Sequence, residues 1–161
     1  MEKVIIRPIE QKDEARIAQV IRHSLELNKA DKPGTVYHDA TTDHLWELFK
    51  NTGSVYFVAE AGGEVVGGCG LYPTDGLAAG TVELVKLYVD EKALGKGIGK
   101  MLFTRSLEAA GAMGYEKVYI ETMPELTKAI PMYEKWGFRY LPAPMGNSGH
   151  NGCGIWMLKE L

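Results

Sequence analysis

The sequence predicts an α+β fold: a mixed, mostly antiparallel sheet with one parallel pair of strands in its middle and helices flanking it. Three features carry that expectation. Two β-rich runs meet at Gly62-Gly63, a pair that permits positive φ at both positions of a tight hairpin. The run Thr81 to Val89 leads through a long helical stripe to another strand, Lys117 to Thr122, and a crossover of that kind makes the two strands parallel. No internal repeat of strand and helix extends this into a wholly parallel sheet, so antiparallel hairpins complete it.

Taken in order, Val4 to Ile9 is a short β-rich run closed by Arg7-Pro8, and Gln11 to Leu27 sets Ile17, Val20, Ile21 and Leu25 at helical spacing. Asn28 to Thr41 collects Asn, Asp, Lys, Pro and Gly and reads as a loop, long enough to carry function. Thr42 or Asp43 is expected to cap a second helix through Phe49. Ser54 to Ala61 and Glu64 to Leu71 are the hairpin strands. Thr81 to Val89 is apolar on both faces except at Glu83 and Lys86, as befits a central strand covered on both sides. Gly97 to Met113 carries Ile98, Met101, Leu102, Ala109 and Met113 on one stripe and stops at Gly114. Leu126 to Trp136 is a helix ended by Gly137, and Phe138 to Leu141 and Gly154 to Leu158 are terminal strands around a loop rich in Pro, Gly and Asn.

A chain of 161 residues with 45% apolar content can bury one core, so residues 1–161 are expected to form a single domain. The formal charge of -3 gives no electrostatic reason to expect nucleic acid or anionic lipid as partner. Cys69 and Cys153 are too few for a disulfide framework and fit free thiols in a reducing cytosol. The N-terminal residues lack the basic start and long apolar run of a signal peptide or membrane span, so the expected location is cytoplasmic. Four scattered His without ligand spacing speak against a metal site.

Leu94-Gly95-Lys96-Gly97-Ile98-Gly99-Lys100 lies between the central strand and the longest helix. Its glycines let backbone N–H groups converge, and such a loop at a helix N-terminus attracts anions. Lys86, Lys92, Lys96, Lys100 and Arg105 outnumber Asp90 and Glu91 around it, which suits a diphosphate with a further phosphate group. A P-loop needs Ser or Thr after the lysine, and Met101 stands after Lys100. A dinucleotide fingerprint wants a third glycine further on, at a spacing this loop does not supply. A tight turn with no ligand is the simpler alternative.

The strand Val82 to Val89, the loop Gly95 to Gly99 and the downstream run Ala129-Ile130-Pro131-Met132-Tyr133-Glu134-Lys135-Trp136-Gly137-Phe138 together resemble the GNAT family of acetyltransferases. The resemblance covers most of the chain. It implies a sheet whose parallel strands splay, so that the pantetheine arm of acetyl-coenzyme A lies along the backbone of Leu87, Tyr88 and Val89. The loop from Leu94 through Lys100 then holds the pyrophosphate. The pattern departs at Leu94, where the family has Gln or Arg, and at Leu126, where an Asn often opens the next helix. The first departure leaves the backbone donors in place, and the second removes one bond to the pantetheine arm.

Amide formation from a thioester needs a neutral amine, an oxyanion donor and a proton for the departing thiolate. By the resemblance, Tyr133 matches the family's tyrosine at the cofactor sulfur; packing one helix face is its other reading. Glu83 interrupts an apolar strand, where desolvation raises a carboxylate's pKa and suits it to act as general base. It also aligns with the base of the histone-modifying members, and a salt bridge within the sheet, to Lys86 for instance, is the alternative. A backbone N–H among Leu87 to Val89 is the expected oxyanion donor. Acceptor contacts are expected where the first long loop meets the last hairpin, at Asn28, Asp31, Tyr37, His38, Asn147, His150 and Asn151, with His150 equally readable as a surface turn residue. Cys153 reads as a buried thiol without a partner base. The expected activity is N-acetylation of a small-molecule amine within a ternary complex. A non-catalytic acyl-CoA sensor, or an enzyme acting on protein N-terminal or lysine amines, remain as other readings, and the resemblance implies a homodimer.

Overall fold

The computed structural model describes residues 3–124, 129–147 and 154–161. Seven strands form one sheet in the order β1-β2-β3-β4-β5-β7-β6. These are β1 (Val4–Pro8), β2 (Val55–Ala61), β3 (Glu64–Tyr72), β4 (Thr81–Val89), β5 (Lys117–Thr122), β6 (Arg139–Leu141) and β7 (Ile155–Glu160). Every neighbouring pair is antiparallel except β4 and β5. Gly62 and Gly63 both adopt positive φ at the β2–β3 turn, as the dipeptide requires.

Alternation along β2 divides the interior in two. Phe57 and Ala59 enter one cluster with Leu102 and Phe103 of α3 (Ile98–Ala112) and Tyr133 of α4 (Ile130–Lys135). Tyr56 and Val58 enter the other with Ile17, Val20, Ile21 and Leu25 of α1 (Glu14–Leu27) and with Leu45 of α2 (Leu45–Leu48). Helices on both faces are why β4 is buried on both sides and reads as nearly continuous apolar sequence.

The second helix begins differently from expectation. Neither Thr42 nor Asp43 caps it, because each has a better partner. The Thr42 hydroxyl donates to the Val36 carbonyl at 2.8 Å, and Asp43 takes both guanidinium nitrogens of Arg22. Asp39 is the capping residue here, accepting from the Thr41 N–H at 2.9 Å at the head of a 3₁₀ turn. The N-terminal helix likewise opens with a 3₁₀ turn, Gln11–Asp13, in which Asp13 reaches back to the Glu10 N–H. Cys69 is free and buried, and burial pushes its thiol up to about 12. Cys153 lies outside the described residues.

Candidate active site

The site begins where two strands part. Pairing between β4 and β5 runs only from Thr81↔Lys117 to Glu83↔Tyr119, although β4 continues to Val89. Among the described residues, the β5-facing edge of β4 beyond Glu83 therefore carries backbone groups with no strand beside them. The other edge of β4 is irregular at the same level: Gly68 faces Tyr88 and Gly70 faces Val85, so Lys86 and Leu87 together oppose Cys69. This is a β-bulge.

Lys86 takes the strain of the bulge, with φ of 55° in the left-handed region that non-glycine residues rarely enter. Its carbonyl accepts a hydrogen bond from the buried Tyr56 hydroxyl at 2.8 Å. The Tyr56 ring can lie under the bulge only because β3 carries glycines there. A Cβ at Gly68 or Gly70 would stand 2.5 Å from ring atoms.

Three cavities follow one another along this stretch of β4. The first, about 470 Å³, is lined by Leu87, Tyr88 and Val89 on one side and by Leu94, Gly99 and Tyr133 on others. The second, about 50 Å³, shares Leu87, Tyr88, Thr122 and Tyr133 with the first. The third, about 310 Å³, shares Glu83, Val85 and Lys86 with the second and extends to Asp39, Thr74 and Asn147. The cavities thus form a seam with Tyr133 at one junction and Glu83 at the other.

The glycine loop sits at the outer end of this seam. Gly95 and Gly97 both have φ of 78°, and nothing lies within 4 Å of where a Cβ would stand on either. Gly97 is the N-cap of α3, so the first-turn amides of that helix have no intrahelical acceptor. Lys96 and Lys100 are exposed beside them, while the Ile98 side chain is buried in the core and leaves only its amide outward. The loop is a cationic cradle with backbone donors, open to a ligand.

Tyr133 is 5% exposed, its ring packed on Phe103 and Phe138 at centroid distances of 5.7 and 5.9 Å. Burial raises its hydroxyl pKa well above the ordinary value, so it holds its proton at neutral pH. Among the described residues that hydroxyl forms no hydrogen bond. Glu83 is 3% exposed and accepts from the Thr74 hydroxyl at 2.6 Å. Behind it, the Tyr119 hydroxyl donates to Glu121 and accepts from the Met145 N–H, which ties the segment after β6 to β5.

The remaining expected contacts separate. Asn147 lines the third cavity, its N–H bonded to the Asp75 carbonyl at 2.7 Å. Asn28 lines the first cavity instead, its amide donating to the Ser24 carbonyl. Tyr37 and His38 stack edge-on at 5.0 Å, and His38 lies 3.1 Å from the Asp31 carbonyl. From the same loop, Asp39 and Thr41 are the residues on the third cavity. His150 and Asn151 lie outside the described residues, as does Leu126. Sequence reasoning passed over Thr74 and set Lys86 among the cations around the glycine loop; the structure places Lys86 on the second and third cavities instead. Among the described residues no group of three His, Cys, Asp or Glu could hold a metal ion, and no helix is long and apolar enough to cross a membrane.

Comparison with known proteins places this geometry. Residues 22–138 match the model of the acetyltransferase (GNAT) family. The chain is 36% identical over 158 residues to the uncharacterized N-acetyltransferase YjgM of Escherichia coli (strain K12), spanning 98% of this chain and 95% of that one. Among solved structures, an acetyltransferase of the GNAT family from Staphylococcus aureus Mu50 superposes with a TM-score of 0.81 at 18% identity, over 98% of this chain and 99% of the other. The PaiA N-acetyltransferase of Thermoplasma acidophilum, solved in complex with coenzyme A, superposes with a TM-score of 0.73 at 18% identity, over 99% of each chain.

Proposed function

The chain belongs to the acetyltransferase (GNAT) family, and from that premise we propose that it acetylates the amine of a small molecule by direct attack within a ternary complex. It is an N-acetyltransferase, and acetyl-coenzyme A is its cosubstrate. The residues fit that group. An open cradle at Gly95 and Gly97 suits the pyrophosphate, and the edge of β4 from Leu87 to Val89, beside a 470 Å³ cavity, suits the pantetheine arm. Leu94 and Gly99 would flank the junction between them. Bound there, acetyl-coenzyme A supplies a thioester whose thiolate leaves as the amide forms.

The observation that carries the reading is the seam of three cavities, with a protonated phenol at one junction and a carboxylate at the other. Glu83, lining the second and third cavities, takes a proton from the acceptor's ammonium and leaves a neutral amine to attack. Tyr133, lining the first and second, is protonated at neutral pH and gives its proton to the departing sulfur. A general acid of this kind is worth roughly 10²–10⁴-fold. Backbone amides of Leu87 to Val89, on the edge vacated by β5, donate to the carbonyl oxygen as charge develops on it. A 310 Å³ third cavity lined by side chains from several elements supports a small molecule as acceptor.

The test is calorimetric titration with acetyl-coenzyme A, followed by a thiol-release screen over amines, amino acids and peptides. Binding with turnover of small amines supports the reading. Turnover confined to peptides reassigns the acceptor, binding without turnover leaves an acyl-CoA sensor, and failure to bind overturns the cradle assignment.

A further inference from the structure

Lys86 is out of place for a strand residue. Glu83 and Val85 line the third cavity, as alternation along β4 predicts, and the next residue should face the opposite side of the sheet. The bulge instead sets Lys86 on that same cavity, at φ of 55°. The side chain is 7% exposed. Among the described residues its ammonium forms neither a hydrogen bond nor a salt bridge. Two carboxylates act on it through space, Asp39 and Glu83, and both line this cavity. Each is engaged elsewhere: Asp39 accepts from the Thr41 N–H and hydroxyl at 2.9 and 2.7 Å, and Glu83 accepts from Thr74 at 2.6 Å. Burial lowers the lysine's pKa, with Asp39 and Glu83 opposing it.

A buried ammonium has three donors to satisfy, and leaving them without acceptors is costly. We propose that the acceptor carries a carboxylate close to its reacting amine, as an α-amino acid does, and that Lys86 binds that carboxylate while Glu83 faces the amine. This rests on the acetyl-transfer reading and narrows its substrate class. The two groups stand three residues apart on β4 and line both the third cavity and the small one that leads to Tyr133. Thr74 and Asn147 supply further polar contacts in a volume of about 310 Å³, ample for an amino acid.

The experiment is steady-state thiol release with matched acceptors: a panel of L-amino acids, their methyl esters and the corresponding decarboxylated amines. Three proteins are compared, the unaltered chain, Lys86→Gly and Lys86→Arg. Glycine accepts the left-handed backbone while removing the whole side chain, ammonium included, so the bulge is kept. Unchanged acetyl-coenzyme A binding by calorimetry serves as the check on the fold. The expected result is a preference of roughly 10- to 100-fold in kcat/KM for the free acid, the scale of a charge-assisted hydrogen bond. That preference disappears in Lys86→Gly through a rise in KM for the acid alone, and is partly kept in Lys86→Arg. Equal use of acids, esters and amines by the unaltered chain overturns the carboxylate proposal and leaves acetyl transfer standing. So does a loss in Lys86→Gly that falls equally on acids and esters. No turnover of any member by the unaltered chain overturns both.

Discussion

Replacing Tyr56 by Phe removes one oxygen and tests what holds the bulge. The ring stays, so its packing between Gly68, Gly70 and Phe49 is kept; the loss is the 2.8 Å bond to the Lys86 carbonyl. Both partners are buried, Tyr56 at 1% and Lys86 at 7% exposure, so water does not replace the donor freely. An unsatisfied buried carbonyl costs about 1–3 kcal/mol. Left-handed backbone at Lys86 costs about 1–2 kcal/mol in addition, and the hydroxyl is the group that offsets it. The two terms are of the same size, so without the hydroxyl a relaxed strand competes with the bulge. Urea unfolding should show a loss of about 1–3 kcal/mol with an unchanged m-value. Binding of acetyl-coenzyme A and KM for the acceptor should weaken together, because the bulge shapes both cavities. Adding Lys86→Gly relieves the left-handed strain, so cofactor binding should partly recover in the double variant. A stability loss with both binding constants unmoved would refute the coupling. Unchanged stability would show that the hydroxyl does not hold the bulge.

Three further outcomes are expected. Tyr133→Phe should lower kcat by roughly 10²-fold with acetyl-coenzyme A affinity unchanged, since the ring contacts with Phe103 and Phe138 survive; full turnover removes the hydroxyl from the mechanism. Gly97→Asp adds a side chain where nothing lies within 4 Å and where φ is 78°, a conformation Asp tolerates, so the protein folds while calorimetry shows weakened cofactor binding. A unit charge there is worth about 1–4 kcal/mol against bound phosphate, and normal affinity would disprove the cradle. Asp13 is buried, which by itself would raise its pKa, but the guanidinium of Arg7 and the Glu10 N–H outweigh burial and hold it below the ordinary 3.8. With the folded value depressed, its contribution to stability is present above the unfolded pKa and is lost as pH falls through the folded one. Urea midpoints should therefore fall less steeply in acid for Asp13→Asn than for the unaltered chain, and parallel curves would exclude this pair as a source of acid lability.

Thr81–Val89 and Lys117–Thr122 were legible to the residue because apolar, β-branched runs bounded by polar or glycine positions leave little else for the chain to do. The glycine loop and the end of the helix carrying Tyr133 were legible for a related reason, since glycines at positive φ are local signals. Neither the cap of α2 nor the bulge is local. Thr42 and Asp43 look like equal caps until Arg22, in α1, claims one of them and the Val36 carbonyl the other. Lys86 reads as a cation near the glycine loop or a partner of Glu83 until Tyr56, thirty positions earlier, supplies a hydroxyl to its carbonyl. One trace of the bulge was in the sequence, three glycines at 67, 68 and 70 inside a strand that has no turn there. Tyr37 and His38 do not line the third cavity, whereas Asp39 and Thr41 of the same loop do. The 3₁₀ turns 36–38 and 40–44, set by tertiary partners rather than by composition, bring Asp39 and Thr41 to the cavity.

The two halves of the site are built from different material, and the bulge is where they meet. On the cofactor side the groups offered are mostly backbone: the edge of β4 from Leu87 to Val89, the cradle at Gly95 and Gly97, and the first turn of α3. Such contacts survive changes of side chain, which is why Leu94 can stand where the resembling family has a polar residue. On the acceptor side the groups are side chains from separate elements, Asp39 and Thr74 from loops and Glu83 and Lys86 from β4. Substitutions there can change which amine enters without disturbing the cofactor groove. Position 86 belongs to both halves, its carbonyl held by the Tyr56 hydroxyl at the bulge and its side chain lining the third cavity. Because Lys86→Gly keeps the backbone and discards the side chain, it separates the two roles of one residue, which no substitution at Glu83 or Tyr133 can do.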